Sequence, residues 1–279
     1  MSSSDVFPGI TVISLNIGGL PRPRYAHARA AAFCRLVTDA DADVINLQEV
    51  HGYGLLRQLR KHLGAFPFVS FRSGVVGPRA GLVTFSKIPV AEVRFLPVFP
   101  ATRSLARSER PGKTLIQSLH KGVLATRLVR GDLVVMNVHL NPNTDGDWSD
   151  EGRHHALHES QLNALTAFAG RADFLGRTVI MTGDFNLAKD CDLFSPFIAR
   201  GGWTDVFEGD SSSTFHAEFL APGQTPHCID YLLVRDPVNM FTAHEASLMF
   251  TDKVRLDNKK ASYISDHMGM CGRFSASRS

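Results

Sequence analysis

The sequence predicts an α+β fold in one domain spanning residues 1–279. Helix-like and strand-like segments alternate irregularly along the chain, short apolar runs repeatedly end on a polar or ionisable residue, and no repeat or low-complexity linker divides the 279 residues. A chain of this length exceeds the common size of one domain, but folds built on two sheets often reach it as one unit.

The strand-like runs begin with Ile10–Leu15 and Asp43–Gln48, followed by Phe68–Phe71, Ala80–Phe85 and Ala91–Leu96. Val123–Val129, Leu133–His139, Thr178–Thr182 and Ile229–Val234 complete the set. Each is four to eight residues long and rich in apolar residues, the length and composition of a strand. Two segments carry helical spacing instead: Tyr25 to Val37 and His154 to Ala169 place alanine, leucine and phenylalanine on one face. Residues 1–8 contain three serines and read as a flexible N-terminus.

A hydrophobic content of 44% and a charged content of 20% supply enough apolar material for a sizeable core. The formal net charge of +3 selects neither nucleic acid nor membrane as a partner. Cys34, Cys191, Cys228 and Cys271 are widely spaced without a metal-ligand pattern and read as structural thiols. The N-terminus lacks a basic region followed by an apolar core, and no apolar stretch is long enough to span a bilayer. These features lead to the expectation of a reduced, cytoplasmic setting.

The chemistry concentrates where the strand-like runs end. Gly183-Asp184-Phe185-Asn186 closes the run at Thr178–Thr182, so an acid and an amide two residues apart emerge on one face of a strand end. Asn16 ends the first run, Glu49 follows the second, and His139 and Asn141 follow Leu133–Val138. Asp230 opens Ile229–Val234, and Ser265-Asp266-His267 lies near the C-terminus. Any one of these residues reads equally well as a turn or cap.

As a set, Ser14-Leu15-Asn16, Leu47-Gln48-Glu49-Val50, Asn137-Val138-His139-Leu140, Gly183-Asp184-Phe185-Asn186, Ile229-Asp230-Tyr231 and Ser265-Asp266-His267 resemble the endonuclease/exonuclease/phosphatase superfamily of metal-dependent phosphoesterases. The resemblance extends along essentially the whole chain. It implies a four-layer α/β/β/α sandwich, two mostly antiparallel sheets packed face to face between helices, with the site at one open end. It also implies a Mg²⁺ or Mn²⁺ ion at Glu49, with Asn16 and Asp266 near it. A hard cation held by oxygen donors offsets the charge that makes a phosphodiester resist attack. In the implied roles Asp184 orients or deprotonates the attacking water, and Asn186 donates to a phosphoryl oxygen. His139 and His267 contact the phosphate, Asp230 fixes the tautomer of His267, and Asn141 joins in binding substrate.

The chain departs from parts of the superfamily. Gly18 stands where many of its nucleases carry an aspartate, His139 where apurinic endonucleases carry a tyrosine, and Tyr231 where inositol phosphatases carry an arginine. His139-Leu140, the polar loop through Ser149 and the later Gln161-Leu162 are most similar to the neutral sphingomyelinase-like branch. A phospholipid of the sphingomyelin type is therefore expected ahead of a nucleic-acid phosphodiester, and a non-catalytic binding module ranks below both. Peripheral membrane contact is expected through an apolar and basic lip from Phe95 to Lys113, where Arg103, Arg107, Arg110 and Lys113 cluster; the competing reading is an exposed loop. His154 and His158 share a helical face but lack the glutamate of a zinc protease motif, and read as a solvated or capping cluster. Trp148 and Trp203 fit either a core or a rim, and oligomeric state is not encoded legibly.

Overall fold

In the computed structural model, residues 9–18, 23–98, 120–256 and 261–276 are described. The first sheet is built from β1 (Ile10–Asn16), β2 (Val44–Gln48), β3 (Phe68–Ser70), β4 (Val83–Ser86), β11 (Phe241–Met249) and β14 (Gly269–Ala276), in the order β11-β14-β1-β2-β4-β3. The second contains β5 (Val90–Pro97), β6 (Gly122–Leu128), β7 (Val134–His139), β8 (Val179–Asp184), β9 (Thr204–Asp205) and β10 (Asp230–Arg235), in the order β5-β6-β7-β8-β10-β9. A small ribbon joins β12 (Val254–Arg255) to β13 (Ala261–Ser262). Each large sheet has one parallel pair, β1/β2 and β7/β8, and is otherwise antiparallel.

The helices α1 (Pro23–Thr38) and α2 (Tyr53–His62) cover the outer face of the first sheet, and α3 (His155–Ala169) and α4 (Phe194–Gly201) that of the second. Ile13, Leu15, Ile45 and Leu47 face outward with Phe33, Val37 and Leu59 of the helices. Val134, Met136, Val138 and Met181 do the same against Leu162, Leu165 and Phe197. A third apolar cluster, including Val12, Val44, Val135, Ile180, Leu232 and Phe274, lies between the sheets. This is the expected four-layer α/β/β/α sandwich.

The four central strands share one inward-facing pattern. Successive inward residues read Val12-Ser14-Asn16, Val44-Asn46-Gln48, Val135-Asn137-His139 and Ile180-Thr182-Asp184. The space between the sheets therefore turns from apolar to polar toward the strand ends. The polar layer is hydrogen-bonded across the sandwich: Asn46 Nδ2 donates to Thr182 Oγ1 at 2.9 Å and Gln48 Nε2 to Asn137 Oδ1 at 2.8 Å. Asn137 Nδ2 donates back to the Leu47 carbonyl at 3.0 Å. Buried polar groups need such partners, and these bonds across the gap align the sheets, although Gln48 Oε1 is left without a partner among the described residues. Gly183 sits where β7 and β8 run together, at φ 139°, and a Cβ there would lie 2.0 Å from the Val138 carbonyl oxygen. No side chain fits.

The expected segments lie close to the observed elements; besides the two-residue strands β9, β12 and β13, four longer elements were not expected. Tyr53–His62, Phe194–Gly201, β11 and β14 have no counterpart among the expected helices and strands. Residues 1–8 and the basic run at Arg103, Arg107, Arg110 and Lys113 lie outside the described residues, as does the expected lip beyond Val98. No helix among the described residues is long and apolar enough to cross a membrane.

Candidate active site at the strand ends

The polar ends of the central strands converge on Asp184, which is only 1% exposed. Its Oδ2 accepts from Asn16 Nδ2 and Asn186 Nδ2, each at 2.9 Å, while Oδ1 accepts from the Asn186 backbone N–H at 2.8 Å. His139 Nε2 stands 3.4 Å from Oδ2 and His267 Nε2 3.8 Å away. Asn186 adopts φ 50°, which turns the chain out of β8 and brings its amide back to Asp184. Its other Nδ2 hydrogen goes to the Leu140 carbonyl at 3.0 Å.

His267 is held from behind. Its Nδ1 donates to Asp230 Oδ2 at 2.9 Å, so Nε2 faces Asp184. Thr214 Oγ1 also donates to Asp230 Oδ2, at 2.7 Å, and accepts from the backbone N–H of Asp230 at 3.0 Å. Phe215 packs edge-on against the imidazole. Burial works against a charged ring, but Asp230 and Asp184 on either side outweigh it and raise the His267 pKa to about 10. Burial would likewise raise Asp184, yet His267, His139 and Lys121 hold its carboxyl well below the usual carboxylate range. Burial pushes Asp230 up to about 6 against the pull of His267.

Glu49 has different surroundings. It leaves β2 at φ 59° and keeps a quarter of its side chain exposed. Its Oε1 lies 4.0 Å from His139 Nε2, so one ring nitrogen stands near both Glu49 and Asp184. Among the described residues no hydrogen bond reaches this carboxylate. Asp266 lies across from Gly18, where a Cβ would come within 2.9 Å of its Oδ1. The glycine that replaces an aspartate of many related nucleases thus leaves the space that Asp266 uses. The Gly18 backbone N–H also donates to Asn16 Oδ1 at 3.0 Å.

Lys121 is the member that sequence reasoning missed. It is buried at the start of β6, one residue before Gly122, which pairs with His139. Its ammonium meets His139 Nε2. Burial lowers its pKa to about 8 while Asp184 and Glu49 pull it upward. Burial and the neighbouring ammonium both lower the pKa of His139, which favours the neutral ring. Nothing local in the sequence ties this lysine to His139, which lies 18 residues further along the chain. Thr214 and Phe215, in a serine-rich loop, gave no sequence signal.

Asn141 is buried beside the site rather than open to it. Gln161 Nε2 donates to its Oδ1 at 2.7 Å, and its carbonyl accepts from His158 Nε2 at 2.8 Å. His158 is therefore a buried strut, not part of a solvated cluster, because the loop after β7 folds over it; burial lowers its pKa to about 4. Trp148 stacks on His158 and, with Phe215, Leu220, Ile229 and Asn186, lines a cavity of about 420 Å³ beside the site.

Two groupings have the donor chemistry to hold a cation. Ligand atoms of Asp184, Asp230 and His267 lie within 4.8 Å of one another. Metal ligation by His267 Nε2 there would require the imidazolium, held charged by Asp230 and Asp184, to give up its Nε2 proton. Glu49, Asn16 and Asp266 each carry an oxygen donor of the kind that suits a hard divalent ion, with Asn16 Oδ1 already accepting from the Gly18 N–H and Asp266 Oδ1 from Ser265 Oγ. Four carboxylates, Glu49, Asp184, Asp230 and Asp266, surround two cationic groups, Lys121 and the His267 imidazolium. The excess negative charge matches one divalent cation.

No curated protein matches the chain. Among solved structures, SmcL superposes with a TM-score of 0.73 at 15% identity, covering 96% of this chain and 99% of its own. Sphingomyelinase C from Streptomyces griseocarneus gives 0.70 at 16% identity, covering 95% and 99%. D. rerio TDP2 complexed with single strand DNA product gives 0.67 at 18% identity, covering 96% and 99%. At these identities the likeness is one of fold. The family model for the Endonuclease/Exonuclease/phosphatase family matches residues 13–267, a span that reaches from β1 through His267. The chain belongs to that family.

Proposed function

We propose that the protein is a Mg²⁺- or Mn²⁺-dependent phosphodiesterase acting on a phospholipid of the sphingomyelin type by in-line attack of water. The observation that carries the hydrolytic reading is the contrast at the strand ends. A buried Asp184 saturated with donors stands beside a Glu49 that no hydrogen bond reaches among the described residues. Glu49 would hold the metal, with Asn16 and Asp266 beside it; when bound, the ion neutralises phosphoryl charge and stabilises the leaving oxygen.

Asp184 stays anionic through the neutral range, so it orients the attacking water and takes its proton only as the bond to phosphorus forms. The His267 imidazolium, its Nδ1 proton anchored on Asp230, turns Nε2 toward the charge that grows on the phosphoryl oxygens. Asn186 serves the same oxygens once it exchanges its bond to Asp184 for one to substrate. His139 and Lys121 hold the near wall, and Asn141 shapes the loop beside it.

The choice of lipid rests on the neighbouring cavity. Pro142, Trp148, Phe215, Leu220 and Ile229 give it an apolar side, Asn143, Gln224, Thr225 and His227 a polar one with Asp145, and among the described residues neither lysine nor arginine lines it. A neutral or cationic headgroup suits that lining, whereas an enzyme tracking a polyanion needs basic side chains along its path. The sphingomyelinase among the fold neighbours agrees with this reading; the TDP2 complex with single strand DNA product supports the nucleic-acid alternative. The deciding experiment incubates the protein with sphingomyelin micelles and, separately, with plasmid, duplex and single-stranded DNA, with Mg²⁺ or with chelator. Metal-dependent release of phosphocholine is expected. Nicking of DNA without phosphocholine release would overturn the substrate, and chelator-resistant hydrolysis would overturn the metal.

A further inference from the structure

The segment between β3 and β4 carries an exposed feature outside the catalytic group. Val75 is 99% exposed and Val76 76%, the two largest exposures among the large hydrophobic residues described. They form the tip of a tight turn, Arg72-Ser73-Gly74-Val75-Val76-Gly77-Pro78-Arg79, closed by Gly74 N–H to Gly77 O at 2.9 Å and by a bridge between Ser73 and Pro78. Behind the tip, Arg79 N–H donates to Arg72 O at 2.7 Å, so the two arginines leave the turn at the same level. Both are exposed, and among the described residues neither guanidinium has an ion-pair partner. With Phe71, Phe95, Arg94 and Arg171 they line an open cavity of about 500 Å³ at the edge of the sandwich.

The turn is anchored. Tyr53 Oη donates to Gly74 O at 2.7 Å, Tyr53 N–H donates to Val76 O at 3.2 Å, and Gly77 packs so closely on Gly52 that a Cβ would lie 2.5 Å from its nitrogen. The same backbone leads to the catalytic group: Gly52 is three residues beyond Glu49, and Val50 N–H donates to Gly81 O at 2.9 Å. The tip and Glu49 therefore belong to one braced pair of loops.

We infer that this turn docks the protein on an anionic phospholipid surface, with Val75 and Val76 entering the acyl boundary and Arg72 and Arg79 meeting lipid phosphates. Two side chains on a convex tip offer far less area than a stable protein interface, which buries about 1,200 Å² or more. Membrane docking needs only a small apolar wedge backed by basic groups. Each arginine trails its nearer valine by three residues, at most roughly 10 Å of chain, the depth over which an interfacial segment passes from acyl chains to headgroups. A braced turn also loses little conformational freedom on insertion. The biological use of this surface rests on the lipid reading of the site, but its test does not.

The test is sedimentation of the full chain, in chelator so that no lipid is consumed, with vesicles of phosphatidylcholine alone or mixed with phosphatidylglycerol. Binding should favour the anionic vesicles and weaken with salt. Arg72→Gln with Arg79→Gln should lower affinity about fivefold per arginine, and Val75→Asp with Val76→Asp should remove binding. Both pairs should leave metal-dependent turnover of a small soluble phosphodiester unchanged. A Val75→Trp variant gives a second readout, with its emission shifting to the blue on anionic vesicles and quenched by brominated acyl chains. Absence of vesicle binding, equal binding by the aspartate variant, or an unshifted Val75→Trp emission would overturn the proposal, as would self-association that the aspartate substitutions abolish. If the aspartate variant also loses soluble turnover, the Val75→Trp spectra decide. With sphingomyelin added to the anionic vesicles and Mg²⁺ in place of chelator, binding through the tip without phosphocholine release would uphold docking and overturn the substrate; hydrolysis indifferent to the tip would do the reverse.

Discussion

The two parallel strand pairs repeat one design and end it differently. In β1-α1-β2 the polar ends are Asn16 and, just past the strand, Glu49; in β7-α3-β8 they are His139 and Asp184, directly paired in register. Asp184 remains within the sheet, buried and surrounded by donors. Glu49 turns out of its sheet at positive φ, and among the described residues no hydrogen bond reaches its oxygens. A carboxylate satisfied by the fold is fixed in place and part of the folded state's energy. One left unsatisfied and partly exposed is available to a ligand. The same side-chain chemistry therefore serves two purposes according to where the strand releases it.

That contrast breaks if the two carboxylates respond alike to loss of charge. Asp184→Asn should lower phosphodiester turnover about 10²–10⁴-fold, and by leaving His267 without one of its two counter-charges it should also lower the thermal midpoint. Glu49→Gln should reduce turnover and divalent-ion affinity strongly while leaving stability within about 0.5 kcal/mol, read by thermal melts in chelator and by metal titration. A large stability loss in Glu49→Gln, or none in Asp184→Asn, would reverse the assignment of roles.

Asp230→Asn sharpens the comparison within the second half. The amide still accepts from His267 Nδ1 but no longer supplies a counter-charge, so turnover should fall only about tenfold, less than at the residue facing substrate. A loss as large as that of Asp184→Asn would make Asp230 more than a positioning residue.

A separate effect, on stability and not on turnover, concerns His158, which braces Asn141 on the β7-β8 side. Its folded pKa is about 4, below the ordinary 6.5, because burial disfavours the charged ring. The unfolded chain therefore binds the proton first as pH falls, and the stabilisation present above pH 6.5 is lost progressively down to about pH 4. The shift corresponds to roughly 3 kcal/mol. Denaturant midpoints should fall across that window in the native chain and less in His158→Gln; identical pH profiles would remove the assignment.

Much of the site was legible because its residues occupy the ends of short apolar runs. Asn16, Glu49, His139, Asp184, Asn186, Asp230, Asp266 and His267 could be named from that pattern together with the family resemblance. The inward series Val-Ser-Asn, Val-Asn-Gln, Val-Asn-His and Ile-Thr-Asp was also present in the sequence. It went unread because a polar residue at alternate strand positions normally marks a solvent face. Here a second sheet covers that face, and Asn46 bonds to Thr182 and Gln48 to Asn137 across the gap. β11 and β14 escaped because β11 is a largely exposed edge strand, while β14 carries Gly269 and Gly272. A Cβ at Gly272 would press on Leu232 of the opposite sheet, so its glycine reflects tertiary packing rather than strand propensity.

By itself the sequence determined the class of fold, the family and the strand ends at which chemistry gathers, because local periodicity and the order of those ends are written along the chain. Only the tertiary structure decided which of these groups meet. It brought Lys121 against His139, enclosed Asp184 among its donors, released Glu49 from them and set Arg72 level with Arg79 behind Val75 and Val76. Such contacts follow from the packing of two sheets and the bracing of loops between residues far apart in sequence, and the charge state of a buried group depends on the neighbours that packing brings.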